Sequence, residues 1–376
     1  MKAIGIAWPL GSFSGWGVYG LNLALELLKD DRFRPCLLTE PGTLSLDAHT
    51  DRAIAAALEE GRKFRGEHLP FPVFQGFGND FGVVKDFRGS LTAGFFFIED
   101  TLFSEPGLAR ARQTDVLVAG STWDRDLVSS HRVPRTIVCI QGIDPALFHP
   151  EPGPRIHPDR FVVFSGGKLE YRKGQDLVIA AFKAFRQRHP DALLVFAWHN
   201  FWPQIVQEIG TSGLVIGLPE FVAPGRSDFA SWLKRNGLPG DSFVDVGLVP
   251  NNRMPRVLRQ ANVGLFPNRC EGGTNLVAME TMACGAPCIL SRNTGHLDII
   301  GEDCLVLEQQ LPCKATEAFL GVEGWGESSV EEIVAHLEWA YGRRKELAEK
   351  GARAAERMRG FCWANQVRKL VGELGL

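Results

Sequence analysis

Four ionisable residues in the second half of the chain have neighbours suited to handling a charged ligand. In FSGGKLEYRKGQDLVIAAF (164–182), Lys168 and Lys173 lie in a glycine-bearing loop that joins a strand-like run to a helix with Leu177, Ala181 and Phe185 at helical spacing. Two ammonium groups at a helix entrance, beside backbone N–H donors that lack intrahelical partners, suit a diphosphate. Because Lys183, Arg186 and Arg188 also charge this helix, a solvated basic loop is the competing reading. In NRCEGGTNLVAMETMACGAP (268–287), Gly272 and Gly273 permit close backbone approach and Thr274 is a candidate N-cap. Asn275 to Ala283 would form a helix presenting its positive end to the same edge. Glu280 is the only charged residue between Leu276 and Pro287. A desolvated carboxylate there needs a partner, which vicinal ribose hydroxyls would supply; otherwise Glu280 sits on an exposed helix face. Glu271, beside the glycines, could meet the polyol end of such a ligand or be an ordinary loop residue.

The first half carries SGWGVYGLN (14–22), where Gly15, Gly17 and Gly20 have the G-x-G-x-x-G spacing. An apolar run (Ala3 to Trp8) precedes it, a helix-like run (Val18 to Lys29) follows, and Glu40 ends the next apolar stretch. A dinucleotide fold needs its first glycine directly after the strand, because that turn brings the pyrophosphate to the helix end. Here Pro9 to Ser14 intervene, which suits a glycine-rich segment lying over a cleft better than an NAD site.

Short apolar runs alternate with helical patterns along the whole chain: CLLT, GFFFI, DVLVAG and TIVCI, then FVVFS, ALLVFAW, NVGLF and PCIL. This predicts α/β architecture, with parallel sheets covered by helices. HPEPGPRIHPD (149–159), with four prolines, is the natural hinge. The expected organisation is a first domain over 1–150 and a second over 151–360, with a final helix in 361–376. A length of 376 residues fits two cores. A net charge of −3 argues against a nucleic-acid partner. The short run ended by Pro9 is too brief for a signal peptide, and no run reaches a membrane span, so a cytoplasmic location is expected. The eight cysteines have no C-x-x-C spacing and read as reduced core thiols; no ligand spacing or D-x-D pair suggests a metal. The aromatics of FPVFQGFGNDFGVVKDF (71–87) could stack on acceptor sugar rings or fill a core.

LRQANVGLFPNRCEGGTNLVAMETMACGAPCILS resembles the signature region of the family 4 glycosyltransferases, retaining enzymes with two facing Rossmann-like domains, the GT-B architecture. QGIDPALFHP (141–150), GGKLEYRKG, VGLVPNNRMPRVLRQAN (246–262) and FCWANQVRKL (361–370) are similar to other stretches of that family. The resemblance implies that the last helix crosses back onto the first domain. It also implies that Lys168 and Lys173 bind a donor diphosphate, Glu280 the ribose and Glu271 the transferred sugar. Amides from Gly273 to Leu276, in the Gly272–Thr274–Asn275 corner, would carry the leaving phosphate, and Gly15 and Gly17 would let the first domain approach it. The implied donor is a nucleotide-diphosphate sugar, with a glycan, lipid-linked or small-molecule hydroxyl as acceptor and no cofactor or metal. Peripheral membrane contact and the oligomeric state stay open. The sequence also departs from the family. Eight residues rather than seven separate Glu271 from Glu280, and Lys168 replaces the commoner arginine. Glu99 and Asp100 follow GFFFI where many members have a histidine near the donor sugar, and HNFW replaces a glycine-rich turn. These departures keep two alternatives in play: a non-catalytic nucleotide-sugar-binding protein and a nucleotide-sugar epimerase.

Overall fold

The alternating runs form two six-stranded parallel sheets in a computed structural model that describes residues 1–376. The first lobe runs β1 (Lys2–Ala7), α1 (Gly15–Leu28), β2 (Phe33–Leu37), α2 (Ala48–Arg62), β3 (Val73–Phe77), β4 (Thr92–Phe96), α3 (Glu105–Arg112), β5 (Val116–Ala119), α4 (Thr122–Ser129) and β6 (Thr136–Val138). Its strand order is β2-β1-β3-β4-β5-β6. The second lobe opens with β7 (Phe161–Gly166), α5 (Gln175–Arg188), β8 (Ala192–Ala197) and α6 (Pro203–Val206). A hairpin of β9 (Glu220–Ala223) and β10 (Arg226–Asp228) follows, then α7 (Phe229–Arg235), β11 (Phe243–Asp245), α8 (Pro255–Leu258), β12 (Val263–Phe266) and α9 (Leu276–Ala283). β13 (Cys288–Ser291), β14 (Leu305–Leu307), α10 (Val330–Gly342), α11 (Arg344–Met358) and α12 (Trp363–Glu373) complete the chain, with sheet order β11-β8-β7-β12-β13-β14.

The interior strands are covered by helices on both faces, so they read as continuous apolar runs; Phe161, Val163, Phe164, Val263 and Leu265 are fully buried. Residues 149–159 contain no helix or strand. The chain crosses back near 361, where Ile143 and residues 361–363 exchange backbone hydrogen bonds, and α12 lies on α1 with Trp363 edge-on to Tyr19 at 5.3 Å. All eight cysteines are free and six are buried.

One open alternative is decided and one boundary moves. FPVFQGF is not a ligand loop: it supplies β3, paired between β1 and β4, and Phe71, Phe74, Phe77, Phe81 and Phe87 are core residues. Helix α1 begins at Gly15 rather than Val18, because the Ser14 hydroxyl accepts from the Gly17 amide and caps it. In each sheet the connections leave β1 or β7 toward opposite edges, and this is where α/β sheets bind ligands. The loops after β1, β7 and β12 meet at that level.

Candidate functional site

A cavity of about 130 Å³ lies between the lobes. Ser12 to Gly15 of the β1–α1 loop form one wall, and Gly166 to Lys168 after β7 together with Leu276, Val277 and Glu280 of α9 form the other. Asn251 and His199 complete it. The lobes touch at its rim, where the Asn251 amide donates to the Ser12 carbonyl (2.8 Å). His199 is held by the Ser227 amide on Nδ1 (3.2 Å) and donates from Nε2 to Asp245 (2.9 Å), so the HNFW segment places an oriented imidazole against the cavity.

Helix α9 points its first turn at this cavity. Its cap is Asn275 and not Thr274: Asn275 takes a left-handed conformation (φ 61°) and its Oδ1 accepts from the Ala278 amide at 3.3 Å. The Asn275 Nδ2 meets His296 Nε2 at 3.0 Å, while His296 Nδ1 donates to the Ser291 carbonyl. Burial lowers His296 to a pKa of about 4, so it is neutral and can accept from Asn275. Thr274 instead turns its hydroxyl to the Met279 sulfur. The Leu276 and Val277 amides, with no carbonyl one turn back, form the positive end of the helix at the cavity wall.

Glu280 lies one turn into α9 and is 3% exposed. Its carboxylate has one hydrogen-bond partner, the side-chain amide Nδ2 of Asn251. Burial pushes its pKa up to about 8, with Asn251 offsetting only part of that cost. A proton-retaining carboxyl facing a cavity is poorly satisfied by the protein alone, and a hydroxyl donor would complete it.

The loop after β7 contributes alternating charge. Lys168 Nζ is 2.8 Å from Glu170 and 4.6 Å above the Trp202 ring, and it lines the cavity. Lys173 is drawn the other way, with Nζ 2.6 Å from Glu271 Oε1. Arg172 is buried between them, 2.7 Å from Glu170, 3.4 Å from Glu271 and 3.3 Å from Glu99 of the first lobe. Asn268 also donates to Glu271. Burial opposes ionisation of both carboxylates, but Arg172, Lys168 and Lys173 hold Glu170 down at about 2, and Lys173 and Arg172 keep Glu271 below the usual range. Burial, then Arg172, pulls Lys173 below the ordinary lysine range, against the pull of Glu271 and Glu170.

Lys168, Gly15, Leu276 and Glu280 therefore share one cavity, with Lys173 and Glu271 paired beside it. Four further expected positions have close protein contacts of their own. Gly17 faces the Gly11 backbone, where an added Cβ would come within 2.8 Å. Gly272 and Gly273 approach the first lobe rather than open space: a Cβ on Gly272 would lie 2.5 Å from the Ile98 carbonyl oxygen, and one on Gly273 2.9 Å from the Phe97 ring. Ser121 donates to the Gly272 carbonyl across the same contact. Asp100 is taken up by the amides of Leu102, Leu320 and Gly321, so it staples a second-lobe loop. Arg172, Asn251 and the His199–Asp245 pair were not anticipated. The available signals were the segments HNFW and VGLVPNNRM and the charge density of KLEYRK, but the partners of Arg172 outside its own loop, Glu99 and Glu271, are far away in sequence.

Residues 198–322 match the family model described as "Glycosyl transferases group 1". The chain is 26% identical over 227 residues to the D-inositol 3-phosphate glycosyltransferase of Acidothermus cellulolyticus, covering 56% of this chain and 47% of that protein. It is 26% identical over 167 residues to a GDP-mannose-dependent alpha-(1-6)-phosphatidylinositol monomannoside mannosyltransferase of Mycolicibacterium smegmatis, covering 41% and 37%. The chain thus spans about half or less of the curated relatives it matches. Among solved structures, sucrose-phosphate synthase from Thermosynechococcus elongatus superposes with TM-score 0.67 at 16% identity, covering 100% of this chain and 98% of that one. Anabaena HepE in complex with UDP-glucose gives 0.66 at 12% identity, with both chains fully covered. With two parallel-sheet lobes, a seam between their carboxyl edges and full-length superposition on these structures, the chain has the GT-B fold, and its second lobe is similar to the group 1 glycosyltransferases.

Proposed function

We propose that the chain is a retaining glycosyltransferase of the family 4 type, which moves a sugar from a nucleotide-diphosphate donor to a hydroxyl acceptor in the cytoplasm. One observation carries this reading: Glu280, a buried carboxyl with one protein partner, faces the same cavity as Lys168 and the first turn of α9. Ribose hydroxyls would donate to Glu280, and the diphosphate would meet the α9 amides and Lys168. As the anomeric bond stretches, charge grows on the leaving oxygens. Lys173 would then turn from Glu271 toward them, freeing Glu271 for hydroxyls of the sugar. Each well-placed donor of this kind contributes on the order of 3 kcal/mol. The departing phosphate oxygen takes the acceptor's proton on the same face, so the reading assigns no separate base. Fixed cations take the role a divalent metal would otherwise fill.

A cavity of about 130 Å³ is smaller than the roughly 300 Å³ at which small-molecule sites begin, so the lobes part to admit the donor. The Lys173–Glu271 pair and the flush Gly272–Ile98 contact favour a second reading, a nucleotide-sugar-binding protein without turnover. Product analysis with each donor, in buffer containing EDTA, separates the two. Sugar transfer to a hydroxyl acceptor with retained anomeric configuration is expected; binding without transfer across a broad acceptor panel supports the second reading. Activity lost in EDTA and restored by magnesium overturns the metal-free step.

A further inference from the structure

Among the site's cations, Arg172 contacts the most carboxylates. Its side chain is only 7% exposed, and Nε, Nη1 and Nη2 each face a different carboxylate: Glu170 at 2.7 Å, Glu271 at 3.4 Å and Glu99 at 3.3 Å. The three carboxylates come from three places: its own loop after β7, the loop after β12, and the loop after β4 in the opposite lobe. The Arg172 carbonyl accepts from the Arg269 and Cys270 amides, so the backbones of the two second-lobe loops are joined at the same point. Trp325 of the second lobe donates to the Glu99 carbonyl at 2.9 Å, which fixes the main chain that carries Glu99. Arg172 itself does not line the cavity.

These contacts have a consequence when Lys173 is called to the phosphate. Glu271 then loses its shortest ion pair and keeps the Asn268 amide and Arg172, and with Glu170 and Glu99 nearby a carboxylate left without any cation would swing away or take up a proton. A guanidinium presents donors on several edges in a fixed plane and can keep Glu271 oriented while also gripping Glu99 across the seam. We propose that Arg172 is a positioning residue of the transfer site, coupling Glu99 of one lobe to Glu271 of the other so that Glu271 is held for the donor sugar when the lobes are closed. This rests on the glycosyltransferase reading above.

The test compares the parent, E99Q, R172K and E99Q/R172K for donor KM and kcat, with thermal unfolding as the folding control. E99Q removes one charge at equal size on the less buried partner and carries the test if R172K does not fold. Expected is a fall in kcat of about tenfold for E99Q and roughly a hundredfold for R172K, the scale of a small misplacement in a preorganised site. Donor KM stays within about twofold, because Arg172 lies outside the cavity, and the double variant is no slower than R172K, because both act through one contact. E99Q with parental kcat, effects that multiply in the double variant, or a rise in donor KM at constant kcat each overturn the proposal. A parent that transfers no sugar from any donor removes the function itself, a different outcome from a working parent indifferent to E99Q.

Discussion

Glu280 and Lys173 make opposite uses of burial. No cation offsets the burial of Glu280, so desolvation raises its pKa to about 8. The native state therefore keeps a proton that the unfolded chain surrenders from about pH 4.5 upward, and stability declines as pH rises from there toward 8. The full effect is on the order of 5 kcal/mol. Urea unfolding of Glu280→Gln should show a flatter dependence between pH 5 and 8 than the parent; parallel curves contradict the assignment. If ribose hydroxyls donate to this carboxylate they lower its pKa, so nucleotide binding at pH 7 should release up to about one proton, read by calorimetry in buffers of different ionisation heat; proton uptake contradicts the contact. Lys173 is buried but paired, and Lys173→Ala should reduce turnover roughly a hundredfold or more, with near-normal turnover removing its role. Glu280 was readable in sequence as the one charge in an apolar helix. The pairing of Lys173 with Glu271 was not, since it depends on loops 98 residues apart meeting at one strand edge.

At the scale of elements, the strand-to-helix loops do the positioning. The start of α9 depends on Asn275, whose left-handed backbone and side-chain cap are held by neutral His296. Asn275→Ala loses the cap and strains a residue at positive φ, for about 1–2 kcal/mol, whereas Asn275→Gly should cost less because glycine accepts that φ. Denaturant midpoints that rank the two in the other order contradict this account of the helix start. Most strands were legible as apolar runs. β3 was obscured because its phenylalanines read equally well as a sugar platform, and the three-residue β11 and β14 carry too few positions to show a pattern. The glycines were only partly legible for a related reason: sequence reports that a backbone can be approached, not what approaches it. Around Gly17 it is the Gly11 backbone, and around Gly272 it is Ile98 of the other lobe.

For the whole molecule, the two-lobe plan was legible from alternation and the proline-rich 149–159 segment. The closeness of the lobes was not, because it rests on long-range contacts such as Thr122 with Asp298 and Trp325 with Glu99. The central claim is that the seam is a cradle for the diphosphate of an activated sugar, formed by the first turn of α9, Lys168 and Glu280. The most direct measurement is ligand-induced thermal stabilisation by UDP-, GDP-, ADP- and dTDP-sugars, for the parent and for Lys168→Ala and Glu280→Ala. The account predicts that at least one donor raises the parent's Tm in a concentration-dependent way and that either substitution weakens the shift. A parent unmoved by every donor at millimolar concentration, or variants that respond as fully as the parent, would contradict it.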